Sequence, residues 1–374
     1  MIFYLYSAEV YLKSPWTPTP QDNLRYLVDS QGRRFRLASV NWYSASDELF
    51  VPGGLDVRHR REIARTIRDM GFNSVRLPYS DELVYSNPII TINLLAANPD
   101  LAGRPALDVF VAAVDALTKE GIAVIVNNHI TVARWCCDAD PCDLSWSNTF
   151  LPPGWCRLRL SEDQWIDNWL TVMARLQNNR GVIGADLRNE VRGLWGTMPW
   201  SKWAAAAERG GNALLAMRDD WLVIVGGTES NNELSGVAEH PVQLVCPDGH
   251  TSLDNRVVYS SHVYSWSGFK RTMQHNWVYL VENDVAPVWV GEFGAPYDPG
   301  MGDANYWANL LRYLKAIDAD FGYWAINPRK PRGNETERYG LVHDDWETPV
   351  LDYRFRHLRV LIEGENKEKD WWLF

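Results

Sequence analysis

Eight short runs rich in β-branched and aromatic residues recur along the chain, and an amphipathic stretch separates most of them. The runs are RLASVNWYS (36–44), SVRLPYS (74–80), AVIVNNH (123–129), IGADLRNE (183–190), LVIVGGT (222–228), VVYSSHVYS (257–265), VWVGEFG (288–294) and FGYWAIN (321–327). Apolar runs of this length read as strands buried on both faces, as in a parallel sheet. Between them, RHRREIARTIRDM (58–70) sets Ile63, Ile67 and Met70 on one helical face. LDVFVAAVDALTKE (107–120) does the same with Leu107, Phe110, Val114 and Leu117. Further helices are expected over 163–178, 201–217 and 304–317, and a last one over 350–362. Gly71 and Gly121 stand where helix C-terminal stops belong.

Strand then helix, repeated eight times, predicts an α/β chain folded as a (β/α)8 TIM barrel. A doubly wound open sheet is the alternative. It wants a GxGxxG loop after an early strand, and none of the first three runs is followed by one. The expected organisation is one catalytic domain over 1–374. Residues 1–35 form an N-terminal extension, and RYLVDSQGRRFRL (25–37) is a hairpin closing the barrel bottom. The long segments 45–57, 130–162 and 229–256 follow strands one, three and five. They therefore sit on the C-terminal face, where such barrels carry their chemistry.

That face collects polar residues. Arg76 lies in strand two, and His129 ends strand three. Asn189 and Glu190 end strand four, His262 and Tyr264 end strand six, Glu292 ends strand seven, and Trp324 ends strand eight. A carboxylate at the end of a buried strand is costly unless something pairs or uses it. Strands four and seven face each other across a barrel mouth. Two carboxyls about 5 Å apart are what a retaining glycosidase needs, one as nucleophile and one as acid and then base. Proximity of like charges is expected to raise one pKa and supply the acid. The bland reading of Glu190 and Glu292 is two structural carboxylates paired with Arg. Asp186 and Arg188, just before the acid, read as a buried structural pair.

The pieces NSVRLPYS, VIVNNH, GADLRNE, SSHVY, WVGEFG and GYWAIN, in that order, resemble glycoside hydrolase family 5, the cellulase-type retaining (β/α)8 hydrolases. The resemblance spans roughly residues 36 to 328. It implies Glu190 as acid/base and Glu292 as nucleophile. It also implies Arg76 and Tyr264 as the groups that bond the nucleophile and keep it ionised. His129, Asn189 and His262 would line the subsite of the reacting sugar, with Trp324 as the platform beneath it. Trp42, in an NW pair also met in the family, joins the substrate-binding set. Val191 stands where the family usually has Pro, and HITVARWCC (129–137) resembles a less explored plant, fungal and bacterial branch. The implied activity is hydrolysis of a β-linked glucan or related polysaccharide by double displacement. An exo-acting enzyme on a terminal sugar or glycoconjugate is one alternative, and a non-catalytic glycan-binding barrel is another.

Nineteen Trp and sixteen Tyr fit sugar faces as well as cores. Trp135, Trp146, Trp155, Trp195 and Trp266 lie in or near the C-terminal loops as further subsite candidates. No cofactor and no metal is expected, since the two His are isolated and the Cys spacing lacks CxxC pairs. A net charge of −10 without a basic block argues against nucleic acid or an anionic membrane as partner. The expected partner is a carbohydrate, bound by a monomer. Four of the five Cys fall between 136 and 156, and the fifth is Cys246. One or two disulfides there suit an oxidising, extracellular setting, and a bridge to Cys246 would pin two cleft walls together. A signal peptide is not evident in MIFYLYSAEVYLKSPW, and a glycosylation sequon at Asn334 matters only outside the cell.

Overall fold

The eight runs form parallel strands: β1 (Ala38–Asn41), β2 (Ser74–Ser80), β3 (Ala123–Ile130), β4 (Val182–Asp186), β5 (Leu222–Gly226), β6 (Val257–Val263), β7 (Val288–Phe293) and β8 (Asp320–Tyr323). In the computed structural model they close into a barrel in chain order, with β8 pairing back onto β1 through Phe321↔Ala38 and Tyr323↔Val40. The structure describes residues 10–12, 26–29, 31–137, 139–194, 198–249, 251–267, 273–331 and 335–363. Trp195, Asn334 and most of the expected N-terminal extension lie outside them.

Helices α1 (Arg60–Asp69), α2 (Ala106–Lys119), α3 (Glu162–Ala174), α4 (Trp200–Leu215), α5 (Met301–Ala316) and α6 (Tyr353–Ile362) cover the barrel. Their starts carry local signals. Ser161 and Gln164 cap α3 reciprocally, and the Asp352 carboxylate accepts the Arg354 N–H at the start of α6. The repeat is less regular than expected. Among the described residues only short turns join β5 to β6, and a π-turn (Gln274–Val278) with one further helical turn joins β6 to β7. Among the described residues, no helix is long and apolar enough to cross a membrane.

Strand alternation sorts side chains into two layers. Val124, Val126, Val223, Val225 and Val290 face outward into the strand–helix core. Ile125, Ile183, Leu222, Ile224, Val258 and Trp289 fill the lower barrel interior, and Leu27 and Leu37 close it from below. Leu27–Asp29 pairs antiparallel with Val10–Leu12, and Val28 bridges Arg34. Arg34 then grips the barrel seam, bonding the Asp318 carboxylate at 3.0 Å, the Asp318 carbonyl at 2.7 Å and Asp320 at 3.0 Å. Above the apolar layer the inward positions turn polar: Asn41, Arg76, Asn127, His129 and His262.

One irregularity aims a key side chain. Trp289 faces the interior, so regular alternation would turn Glu292 outward. The register with β6 slips, Ser261 pairing Val290 and His262 pairing Glu292, so Gly291 has no counterpart. This bulge restores Glu292 to the interior. A Cβ on Gly291 would lie 2.6 Å from Ser260 Oγ, so any larger residue must displace Ser260 or the strand.

Candidate active site

Arg76 is the centre of the upper layer. Its side chain is fully buried and every terminal nitrogen is used. Nε bonds Asp186 at 2.7 Å, and Nη2 bonds Asn189 Oδ1 at 2.8 Å. Nη1 reaches Asn41 Oδ1 at 3.1 Å and Glu292 Oε1 at 2.5 Å. Tyr264 donates its hydroxyl to the other Glu292 oxygen at 3.0 Å. Burial and the neighbouring carboxylates push the Tyr264 hydroxyl well above its ordinary pKa, so it stays a donor. Glu292 itself is raised above the ordinary glutamate value. Burial is the largest cause, opposed by His262, Arg76 and the Tyr264 bond.

Glu190 lies across the mouth, and one oxygen of each carboxylate falls within 4.8 Å of the other and of a His262 ring nitrogen. Its pKa is raised to about 7 by burial, with Arg192 and Arg76 opposing. The cause therefore differs from the like-charge repulsion expected from sequence: desolvation dominates. Its backbone adopts φ 47°, a left-handed conformation that strains a residue with a side chain. The Glu190 N–H donates to Asn231 Oδ1 at 3.0 Å, which orients that amide. Asn231 Nδ2 then faces His262 Nε2 at 3.1 Å as donor. The remaining proton of His262 sits on Nδ1 and is given to Glu190 Oε1 at 3.1 Å. Burial lowers the His262 pKa to about 4, so this contact is a hydrogen bond from a neutral ring and not an ion pair.

His129 is fixed in the same way. Asn127 Nδ2 bonds Asp186 at 3.0 Å, which turns Asn127 Oδ1 toward His129 Nδ1 at 2.8 Å. Nδ1 carries the proton and Nε2 remains an acceptor. Burial, with Arg76, His262 and Arg188 adding to it, holds the ring well below its ordinary pKa. It stacks on Trp324, which also stacks on Tyr43 at 5.0 Å and meets Trp135 edge-on at 6.3 Å.

The cleft above these groups encloses about 350 Å³. It is lined by His129, Asn189, Glu190, His262, Tyr264, Glu292 and Trp324, so seven of the expected residues meet there, with Arg76 directly beneath. Trp42 does not. Asn41 faces inward, so alternation turns Trp42 out into the strand–helix core, fully buried, its indole N–H on the Gly53 carbonyl at 2.9 Å. Asp186 and Arg188 also depart from expectation. They are not paired with each other: Asp186 holds Arg76, and Arg188 holds Asp81 at 3.1 Å. Of the loop tryptophans, Trp135 and Trp266 line the cleft. Trp146 is buried against Trp203, and Trp155 is exposed away from the cleft lining.

Lys330, Glu337 and Tyr339 also line the cleft, from the long segment after β8 that sequence reasoning passed over. Its scattered charges and turns carry no strand-end signal. The cysteines pair locally, Cys136 with Cys137 and Cys142 with Cys156. Cys246 is a free thiol, so no bridge joins the two loops.

The family model for cellulase (glycosyl hydrolase family 5) matches residues 28–330. The chain belongs to glycosyl hydrolase family 5. It is a cellulase-like β-glycoside hydrolase. An endoglucanase of Paenibacillus polymyxa is 30% identical over 90% of this chain and 86% of its own length. The major extracellular endoglucanase of Xanthomonas campestris pv. campestris is 27% identical over 91% of this chain and 70% of its own. The solved catalytic domain of the major endoglucanase from that organism superposes with a TM-score of 0.73 at 25% identity, covering 91% of this chain and 99% of that one.

Proposed function

We propose that this family 5 enzyme is a retaining endo-acting β-1,4-glucanase, with Glu292 as nucleophile and Glu190 as acid and then base. The observation that carries the reading is the pair of carboxylates within 4.8 Å of each other, held by different partners. That separation suits direct attack and leaves no room for an intervening water. Glu292 has donors on both oxygens, Arg76 and Tyr264, which favour its ionised form. Glu190 has one oxygen on His262 and a pKa near 7, which favours its acid form.

In the first step a Glu292 oxygen attacks the anomeric carbon while Glu190 gives its proton to the departing oxygen. The glycosidic bond breaks, a sugar–Glu292 ester forms, and the leaving chain departs as an alcohol. Glu190, now a carboxylate, takes a proton from water, whose oxygen attacks the same carbon and frees Glu292. His129, Asn189 and His262 bind hydroxyls of the reacting sugar, and Trp324 supports its apolar face. The β-1,4-glucan assignment rests on the endoglucanase relatives. The extracellular relative and the two cysteine pairs support secretion with both disulfides formed. The chain acts as one catalytic domain and as a monomer.

Proton NMR during hydrolysis of a soluble β-1,4-glucan tests the reading. The β-anomer is expected to appear first, with the α-anomer following by mutarotation. Glu292→Gln should abolish that signal while the protein keeps its melting temperature. Initial α-product, or full turnover by Glu292→Gln, overturns it.

A further inference from the structure

Cys136 and Cys137 lie on the cleft wall, both half-buried. Their sulfurs and a Glu190 oxygen fall within 4.8 Å of one another. Asn189 Nδ2 faces both, 3.4 Å from the Cys136 sulfur and 3.3 Å from the Cys137 sulfur. The other end of that amide is taken, since Oδ1 accepts from Arg76. Sulfur is a weak acceptor. The donor is therefore aimed and held, but not satisfied as a carbonyl or hydroxyl would satisfy it. A substrate hydroxyl arriving at the cleft outcompetes the sulfurs without having to break a strong bond.

We propose that the Cys136–Cys137 disulfide is a positioning element of the reacting subsite, holding the Asn189 amide available to the sugar and forming the wall beside it. The proposal rests on the glycosidase reading above. Its chemistry follows from the sulfurs. As a disulfide they carry no hydrogen and occupy one compact surface. Reduction adds two electrons and two protons, breaks the S–S bond and leaves two S–H groups that rotate separately. The wall then presents donors where the amide donor already stands, and Asn189 loses its fixed neighbour.

Two arms test this. In the first, Cys136→Ala/Cys137→Ala is made alone and with Asn189→Ala, and all variants are assayed on soluble β-1,4-glucan. The cysteine change should lower kcat on the order of tenfold, the worth of one positioned hydrogen bond, with KM little moved. In the Asn189→Ala background it should cost almost nothing more. Equal losses in both backgrounds, or an unchanged kcat, overturn the proposal.

The second arm needs no change at the cleft. Cys142→Ala/Cys156→Ala removes the other pair, and a trialkylphosphine then reduces the one that remains. Phosphine and water become phosphine oxide as the disulfide becomes two thiols. Turnover should fall as two thiols appear and return on reoxidation with oxidised glutathione. Two new thiols with unchanged turnover overturn the proposal. Wild-type hydrolysis is the control: its absence strikes the glycosidase reading, whereas wild-type turnover with unmoved variants strikes only the role of the disulfide.

Discussion

Glu190 sits on left-handed backbone, its side chain mostly buried, with His262 donating to its carboxylate. Its pKa near 7 has two consequences. The rate should fall as pH rises through about 7, because the acid is lost. It should fall again on the acid side, above the ordinary glutamate range, as Glu292 takes up a proton. A pH profile of kcat/KM checks both limbs. The second consequence is for stability. A carboxyl with a raised folded-state pKa binds more protons folded than unfolded. Its cost is therefore absent below the unfolded value and develops as pH rises from there through about 7. Glu190→Gln, which keeps an acceptor for His262, should be inactive yet more stable than wild type at pH 8, on the order of 1–3 kcal/mol. Below pH 4 the two should melt alike. Denaturant titrations at both pH values decide it.

At the scale of the element, the bulge at Gly291 sets where Glu292 points. Gly291→Ala must push Ser260 or move the strand. Turnover should fall at least tenfold, with a stability loss of about 1–3 kcal/mol. A melting curve beside an activity assay shows whether both change together; wild-type values for both would remove the bulge from the argument. The sequence made the strands legible because each is a dense apolar run, and it made Glu190, Glu292 and Arg76 legible because charge at a buried strand end is conspicuous. It did not reveal the bulge, since a glycine in a strand has several readings. Trp42 was misplaced because a resemblance names a residue and not the face it turns to. Asn127 and Asn231, which set the two histidine tautomers, were missed because a neutral amide, inside a run or in the loop after one, carries no charge to mark it. Lys330, Glu337 and Tyr339 come from a segment with no periodicity at all.

Across the whole molecule, closure depends on β8 meeting β1, and Arg34 ties that seam from below through Asp318 and Asp320. Arg34→Ala leaves Asp320 buried with its compensating charge removed. It should cost about 3 kcal/mol, read as a lower urea midpoint. A midpoint within error of wild type would mean the seam holds without it. The cleft geometry should survive in the folded fraction, so kcat per folded molecule should stay near wild type. Arg76, at the opposite end, has a different kind of consequence. Asn41, Asp186, Asn189 and Glu292 come from three strand ends far apart in the chain and share one guanidinium. None of the five can drift in evolution without stranding the others, whereas the loops above them answer to no such committee. Divergence in this lineage should therefore appear as new rims on an inherited socket, and those five positions in chain order should mark distant kin that overall identity no longer can.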